Sequence, residues 1–327
     1  MLSYGIFKEI LIDNIKKYMP AEYQDYPLKV EKHAKANMVV DGISFAVSDG
    51  ISPSIHINDV YESYKECESV ETVLRAAAEK MVKEYERISK MGSLPDFAVK
   101  ENVLMKLINT GMNQELLEHC PHREVMDLSA VYYWAVAMDE EGIATALITN
   151  DNVGMMCVTE EELYELAKQN AKRLIPTTIQ ELGAFMGLNM GDLALGDEFD
   201  SVKLDHEMIL VTNKQGLNGA VAMLDDEALH TVAEYFGDNL HILPSSIHEI
   251  IAIKAEEGHE KELAEMVADI NQKEVPLGDR LSDNVYFYDR LKRELTMATG
   301  SREINRLNAG QQENRDLAKT SMLQMGR

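Results

Sequence analysis

The chain has one tryptophan, 3 cysteines and 8 prolines in 327 residues. Cys67, Cys120 and Cys157 are odd in number and irregularly spaced, which argues against a disulfide framework and a thiolate metal cage. Cations are scarce as well, with 32 Lys and Arg against 56 Asp and Glu and a formal charge of -24. A surface of that sign repels nucleic-acid phosphate and anionic lipid, so neither is expected as a partner. No uninterrupted apolar run reaches the roughly 18 residues that a membrane helix needs. From Met1 to Ile15, Lys8, Glu9, Asp13 and Asn14 interrupt the apolar residues, unlike the compact core of a secretion signal. These absences predict a cytosolic protein with reduced thiols.

Hydrophobic residues make up 45% and charged residues 27% of the chain, enough for a sizeable core and more than one domain. Phe7, Ile10, Leu11, Ile15 and Tyr18 recur at helical spacing up to Pro20. Met38–Val47 and Ile51–Ile57 read as extended runs with turns at Asp41-Gly42 and Asp49-Gly50. Val70, Val73, Leu74, Ala77, Met81 and Tyr85 outline a helix that runs toward Gly92, Ser93 and Pro95. In the middle region, Val103–Ile108, Leu128–Met138 and Ile143–Thr149 read as strands, with a turn at 139–142 and a short helix near Asn113–Glu118. A longer helix is expected after Thr159, which with Glu162 has the spacing of a capping box, and Pro176 either ends it or starts the next element.

The patterning is clearer further on. Met208–Thr212, Ala220–Leu224, Leu240–Leu243, Ile247–Ile253 and Val285–Tyr288 are expected strands. Helices carry Leu229–Phe236, with Gly237 as its left-handed stop, and Leu263–Ile270. The fold class is therefore α+β: two mixed units with mainly antiparallel sheets covered by helices. The expected segments are 1–95 (helix, hairpin, helix), 96–200 (a middle unit ending in a Gly- and acid-rich stretch over Gly187–Asp200), 201–295 and a flexible tail 296–327. A docked terminal helix around Ile304 and Leu307 is the alternative for the tail. Leu147–Asn150 and its following helix are echoed by Leu210–Asn213 roughly 65 residues later, so an internal duplication is one reading. Under it, the Thr-Asn pairs serve turns rather than ligands.

Reactive groups concentrate in two places. His119-Cys120-Pro121-His122-Arg123, followed by Asp127, contains candidate metal ligands (His119, Cys120, His122) and candidate acid–base groups (His122, Asp127). The structural alternative has Pro121 fix a turn while Arg123 holds Asp127 across one helical turn. Ser246, His248 and Glu249 form the second group, and strand periodicity would put Ser246 and His248 on one face. Ala252 stands where a helical zinc-protease motif would place a second histidine, so the alternatives are a serine–histidine pair and a bend that fixes the strand start. Asp205-His206-Glu207 cannot converge by adjacency alone. Tyr132, Tyr133 and Trp134 read as core, and Gly187, Gly191 and Gly196 lack the Lys-Ser/Thr ending of a phosphate loop. No cofactor is expected.

Several motifs occur in order: Leu107–Thr110 with Asn113, Pro121–Arg123, Asp127-Leu128 with Val131-Tyr132, Ile148–Asn150 before Glu161–Ala167, Leu243–Glu249, and Leu281–Asp283 with Val285-Tyr286 and Tyr288-Asp289. Together they resemble an uncharacterised family of Gram-positive gut bacteria over roughly residues 5 to 292. The resemblance implies no activity, substrate or cofactor. Gly111-Met112 departs from that family's more polar pattern, which weakens any charged ligand contact there. Two functional readings follow. The first is a protein-binding or regulatory protein using its acidic surface. The alternative is a hydrolase or metal-assisted enzyme drawing on Ser246 and His248, with His122 or Asp127 nearby.

Overall fold

The computed structural model describes residues 1–47, 52–89, 98–139, 142–182 and 208–299. The expected features at Asp49-Gly50, Gly92–Pro95, Glu140-Glu141, Gly187–Asp200 and Asp205–Glu207 lie outside these residues, as does the tail from 300 onward. Chain contacts separate two compact units, 1–104 with 133–159, and 105–132 with the described part of 160–327. The units interleave along the chain, whereas the sequence reading cut it linearly. Strand β6 (Leu128–Asp139) spans the change from the second unit to the first. A continuous apolar strand carries no compositional break to mark that passage.

In the first unit, α1 (Tyr4–Asn14), α2 (Ile57–Cys67) and α3 (Val70–Ser89) accompany a sheet of order β1 (Leu28–Lys35), β2 (Met38–Phe45) and β3 (Ile55–His56). Phe7, Leu11, Ile43, Phe45, Leu74 and Met81 meet in its core. The hairpin turn lies at Asn37, whose φ is 63°, and β1 pairs antiparallel with β2 from Leu28↔Phe45 to Lys35↔Met38. Asp41-Gly42 is not a turn; it lies inside β2. Gly42 is there because of crowding, since a Cβ would come within 2.2 Å of both the His33 ring and Ser54 Oγ. Ile57 is not the end of a strand but the first residue of α2. Within β2, Asp41 accepts from the Tyr4 hydroxyl at 2.7 Å and pairs with Lys8 at 2.8 Å, which tie α1 to the sheet. The second half of β6 pairs with β7 (Gly142–Leu147), which leads into α5 (Asn150–Met156).

In the second unit, β5 (His122–Val125) pairs with the first half of β6, and β4 (Val103–Asn109) flanks β6 on its other side. Positions 128 to 137 of β6 are all buried, Tyr132, Tyr133 and Trp134 included, so the strand is covered on both faces and reads as an unbroken apolar run. A short helix α4 (Gln114–Glu118) precedes β5. The larger sheet has order β13 (Glu294–Met297), β12 (Tyr286–Asp289), β10 (Leu240–Leu243), β11 (Ile250–Lys254), β9 (Ile209–Asn213) and β8 (Thr177–Glu181), antiparallel throughout. Helices α6 (Glu160–Leu174), α7 (Asp226–Phe236) and α8 (Glu260–Lys273) complete the unit. Leu263 and Val267 of α8 pack with Leu243, Ile253 and Val285.

The fold is thus mixed α and β with antiparallel sheets and helices, as expected. It gives no clear sign of duplication: Leu147–Asn150 leads from a strand into α5, whereas Leu210–Asn213 lies within β9. Two further strand assignments change. Ala220–Leu224 belongs to a 3-10 turn, Gly219–Leu224, because a short buried apolar run carries no periodicity to separate strand from helix. Strand β11 begins at Ile250, not Ile247, because Ser246–Glu249 are held in a bend by contacts described next.

Candidate functional site

The bend after β10 is built from Pro244-Ser245-Ser246-Ile247-His248. Its backbone is laced to the segment before β12: the amides of Leu281 and Ser282 donate to the carbonyls of Ser245 and Pro244, and the Ile247 amide donates to the Asp279 carbonyl. Ser246 Oγ accepts from the His248 amide at 3.0 Å, the geometry of a serine turn. The His248 ring faces elsewhere. Its Nδ1 accepts from the Asn218 amide at 3.2 Å, and its Nε2 lies 3.4 Å from Asp279 Oδ1. Asp279 raises the His248 pKa above the ordinary imidazole value, with burial opposing it. Ser246 and His248 are therefore close in sequence, but the serine meets the histidine's backbone rather than its ring. Glu249 is half-buried beside them.

The 213–219 loop closes the other side. Thr212 donates to the His248 carbonyl at 2.7 Å, and Asn213 folds its amide onto its own loop, donating to the Leu217 carbonyl and accepting from the Gln215 amide. Asn213 is thus the turn residue that its short polar side chain suggests. Gly219 permits the approach, since a Cβ there would fall 2.2 Å from Thr212 Oγ1 and 2.4 Å from the His248 carbonyl oxygen.

In the 119–127 segment, His119 is exposed and His122 Nδ1 sits 3.0 Å from the Cys120 carbonyl oxygen. Cys120 is buried, its thiol faces the Leu116 carbonyl at 3.3 Å, and burial pushes the thiol pKa up to about 11. Burial thus holds the thiol in its protonated form, which is not the reactive nucleophile. Among the described residues, no three His, Cys, Asp or Glu side chains gather as a metal site. Arg123 does not hold Asp127, because the segment is a strand and not a helical turn. It instead forks onto Glu160 (3.1 and 3.0 Å), reaches Glu161, and lies 3.9 Å from the Tyr164 ring centre, pinning the start of α6 to β5. Tyr132 donates to the same Glu160 carboxylate.

Asp127 is the acceptor of a separate network that the linear sequence gave no means to assemble. Ser282 Oγ donates to it at 2.7 Å, Asn284 Nδ2 at 3.0 Å, and the buried Tyr286 hydroxyl also donates. Burial, then the neighbouring Asp127 carboxylate, keeps the Tyr286 pKa well above the ordinary phenol value. Asn109 donates to the Leu281 carbonyl at 2.9 Å, and Asn271 to the Ser282 carbonyl at 3.0 Å. The only sequence signal was the polar Ser-Asp-Asn run ahead of an aromatic strand.

A recess of about 440 Å³ lies elsewhere in this unit, between α6, the 219–224 turn and the start of α7. Lys168 and Lys172, one turn apart on α6, line it together with Met105, Ile175, Val221 and Leu224. None of Ser246, His248, His122 and Asp127 lines it. The sequence reading missed this recess, because its lysines are ordinary surface residues until the chain folds.

A family model, that of a family of unknown function, DUF5688, matches residues 4–290. The chain belongs to DUF5688. The ordered motifs thus identify the family, and no curated protein and no solved structure matches the chain. The DUF5688 match takes in the His248 bend, the Asp127 network and the recess. No helix among the described residues is long and apolar enough to cross a membrane.

Proposed function

We propose that this DUF5688 protein is a binding protein that holds a protein partner through its carboxylate-rich exterior, and that the Ser246–His248 region is an architectural joint rather than a hydrolase centre. The observation that carries this reading is the occupation of both His248 ring nitrogens. A general base needs a free lone pair within hydrogen-bond reach of the nucleophile. The Nδ1 lone pair of His248 is taken by the Asn218 amide, and Nε2 faces Asp279. Ser246 accepts from the His248 backbone instead. His122, Asp127 and Cys120 are each hydrogen-bonded within the protein, and the -24 charge supports steering and selectivity for a cationic partner at the surface.

Purification from native lysate at low salt, followed by mass measurement of intact complexes, tests the reading. The expected result is a stoichiometric protein partner that dissociates as ionic strength rises, with Ser246→Ala leaving its recovery unchanged. Repeated recovery of the chain without such a partner, or hydrolysis of an ester probe abolished by Ser246→Ala, would overturn it.

A further inference from the structure

The recess in the second unit has walls of unlike character. Lys168 and Lys172 share one face of α6, being four residues apart. Among the described residues neither lysine forms an ion pair, and the Lys168 ammonium lies 5.3 Å from the Tyr164 ring centre. The carboxylates at the start of α7 line the same recess but are already engaged. Asp226 accepts from the Tyr288 hydroxyl at 2.6 Å and pairs with Arg293 at 2.7 Å, and Glu227 pairs with Arg293 at 2.9 Å. Asp225 accepts from Thr177 at 3.0 Å and from the Ala228 amide. The charges of the recess are therefore segregated, with the two lysines on the α6 side and, at the start of α7, three carboxylates met by Arg293 and by neutral donors. Between the two charged sides, Met105, Ile175, Val221 and Leu224 supply an apolar lining. The volume falls within the range of small-molecule sites.

We propose that this recess binds a small monoanionic organic acid, with the carboxylate on Lys168 and Lys172 and an apolar body against Met105, Ile175, Val221 and Leu224. The chemistry selects a carboxylate over a phosphate. Phosphate sites draw on backbone amides at a helix start, and here that start carries the carboxylates of Asp225, Asp226 and Glu227, which repel a dianion. The nearby Asp226 and Glu227 also penalise a second negative charge on the ligand. This site is independent of the acidic exterior invoked above, and either reading can fail without the other.

Titration of the full chain with octanoate, followed by calorimetry and by amide chemical shifts, tests the proposal, with 1-octanol and inorganic phosphate as comparison probes. Octanoate should saturate one site and shift the amides of 168–175, Thr177 and 219–227. The double substitution Lys168→Met and Lys172→Met should weaken it about tenfold or more, because charge-assisted contacts are lost while the methylene stems remain. Octanol and phosphate should not saturate. Octanoate binding that survives the double substitution, equal binding of octanol or of phosphate, or no octanoate binding at all would each overturn the proposal. Should the double variant melt below the wild type, the comparison of octanoate with octanol and phosphate on the unmodified chain still decides it.

Discussion

The Nε2 atom of His248 stands 3.4 Å from Asp279 Oδ1 while its Nδ1 takes the Asn218 amide at 3.2 Å, so one ring joins the bend after β10 to two other segments. The two contacts make opposite demands. Asp279 favours the imidazolium, whereas the Asn218 amide needs Nδ1 unprotonated. Removing the carboxylate charge with Asp279→Asn should therefore lower the His248 pKa toward the ordinary imidazole value or beneath it, given the opposing burial. Titration of the ring by NMR in both proteins checks this, and an unchanged midpoint would remove Asp279 as the cause.

Gly219→Ala should destabilise the second unit by roughly 1–3 kcal/mol, the usual cost of forcing an extra carbon into a packed site. The added Cβ would meet Thr212 Oγ1, the His248 carbonyl oxygen and, at 2.9 Å, the Asn213 amide nitrogen. Two of these contacts are rigid backbone, so relief by side-chain movement is limited. Urea denaturation of both proteins gives the comparison, and equal midpoints would show that the 213–219 loop yields freely.

Asp127→Ala should cost about 3 kcal/mol, because Ser282, Asn284 and Tyr286 would all lose their shared acceptor. Tyr286→Phe removes one donor and leaves two, so its cost should be smaller, about 1 kcal/mol. The ordering of the two variants in denaturation is the discriminating result. A larger loss for Tyr286→Phe would place the weight on the tyrosine rather than the carboxylate.

His241 is buried, its Nδ1 has no hydrogen-bond partner, and burial lowers its pKa despite the opposing pull of Glu260. A group whose folded pKa is depressed contributes stability above its unfolded value, about 6.5, and loses it as pH falls through the folded value. His241→Leu should therefore reduce the stability lost between about pH 7 and pH 5. Denaturant midpoints of both proteins across that range provide the test, and identical slopes would contradict it.

Much of the architecture was legible where one periodicity dominated. Leu229, Val232 and Ala233 with a left-handed Gly237 fixed α7 and its end, and Pro176 marked the end of α6. The misreadings share a physical cause. Gly42 looked like a turn glycine, but it is small because the His33 ring crosses it. Ala220–Leu224 looked like a strand because total burial erases the difference between the two periodicities. The edge strands β1, β8 and β13 went unnoticed because none of their residues is fully buried, so they carry few apolar residues to mark a period. At the site level, adjacency in sequence misled. Ser246 and His248 are two residues apart, yet the bend turns the ring away from the hydroxyl. The partners of Asp127 lie more than 150 residues along the chain. The recess could not be read at all, since Lys168 and Lys172 acquire their setting only when α6, the 219–224 turn and α7 assemble.

The tautomer of the neutral His248 ring tests the account most directly. Nitrogen-15 NMR of the ring above its pKa should find the proton on Nε2, with Nδ1 showing the shielding of a hydrogen-bonded acceptor and a coupling to the Asn218 amide. A proton on Nδ1, or an Nε2 lone pair coupled to the Ser246 hydroxyl, would contradict the joint and restore the serine–histidine hydrolase.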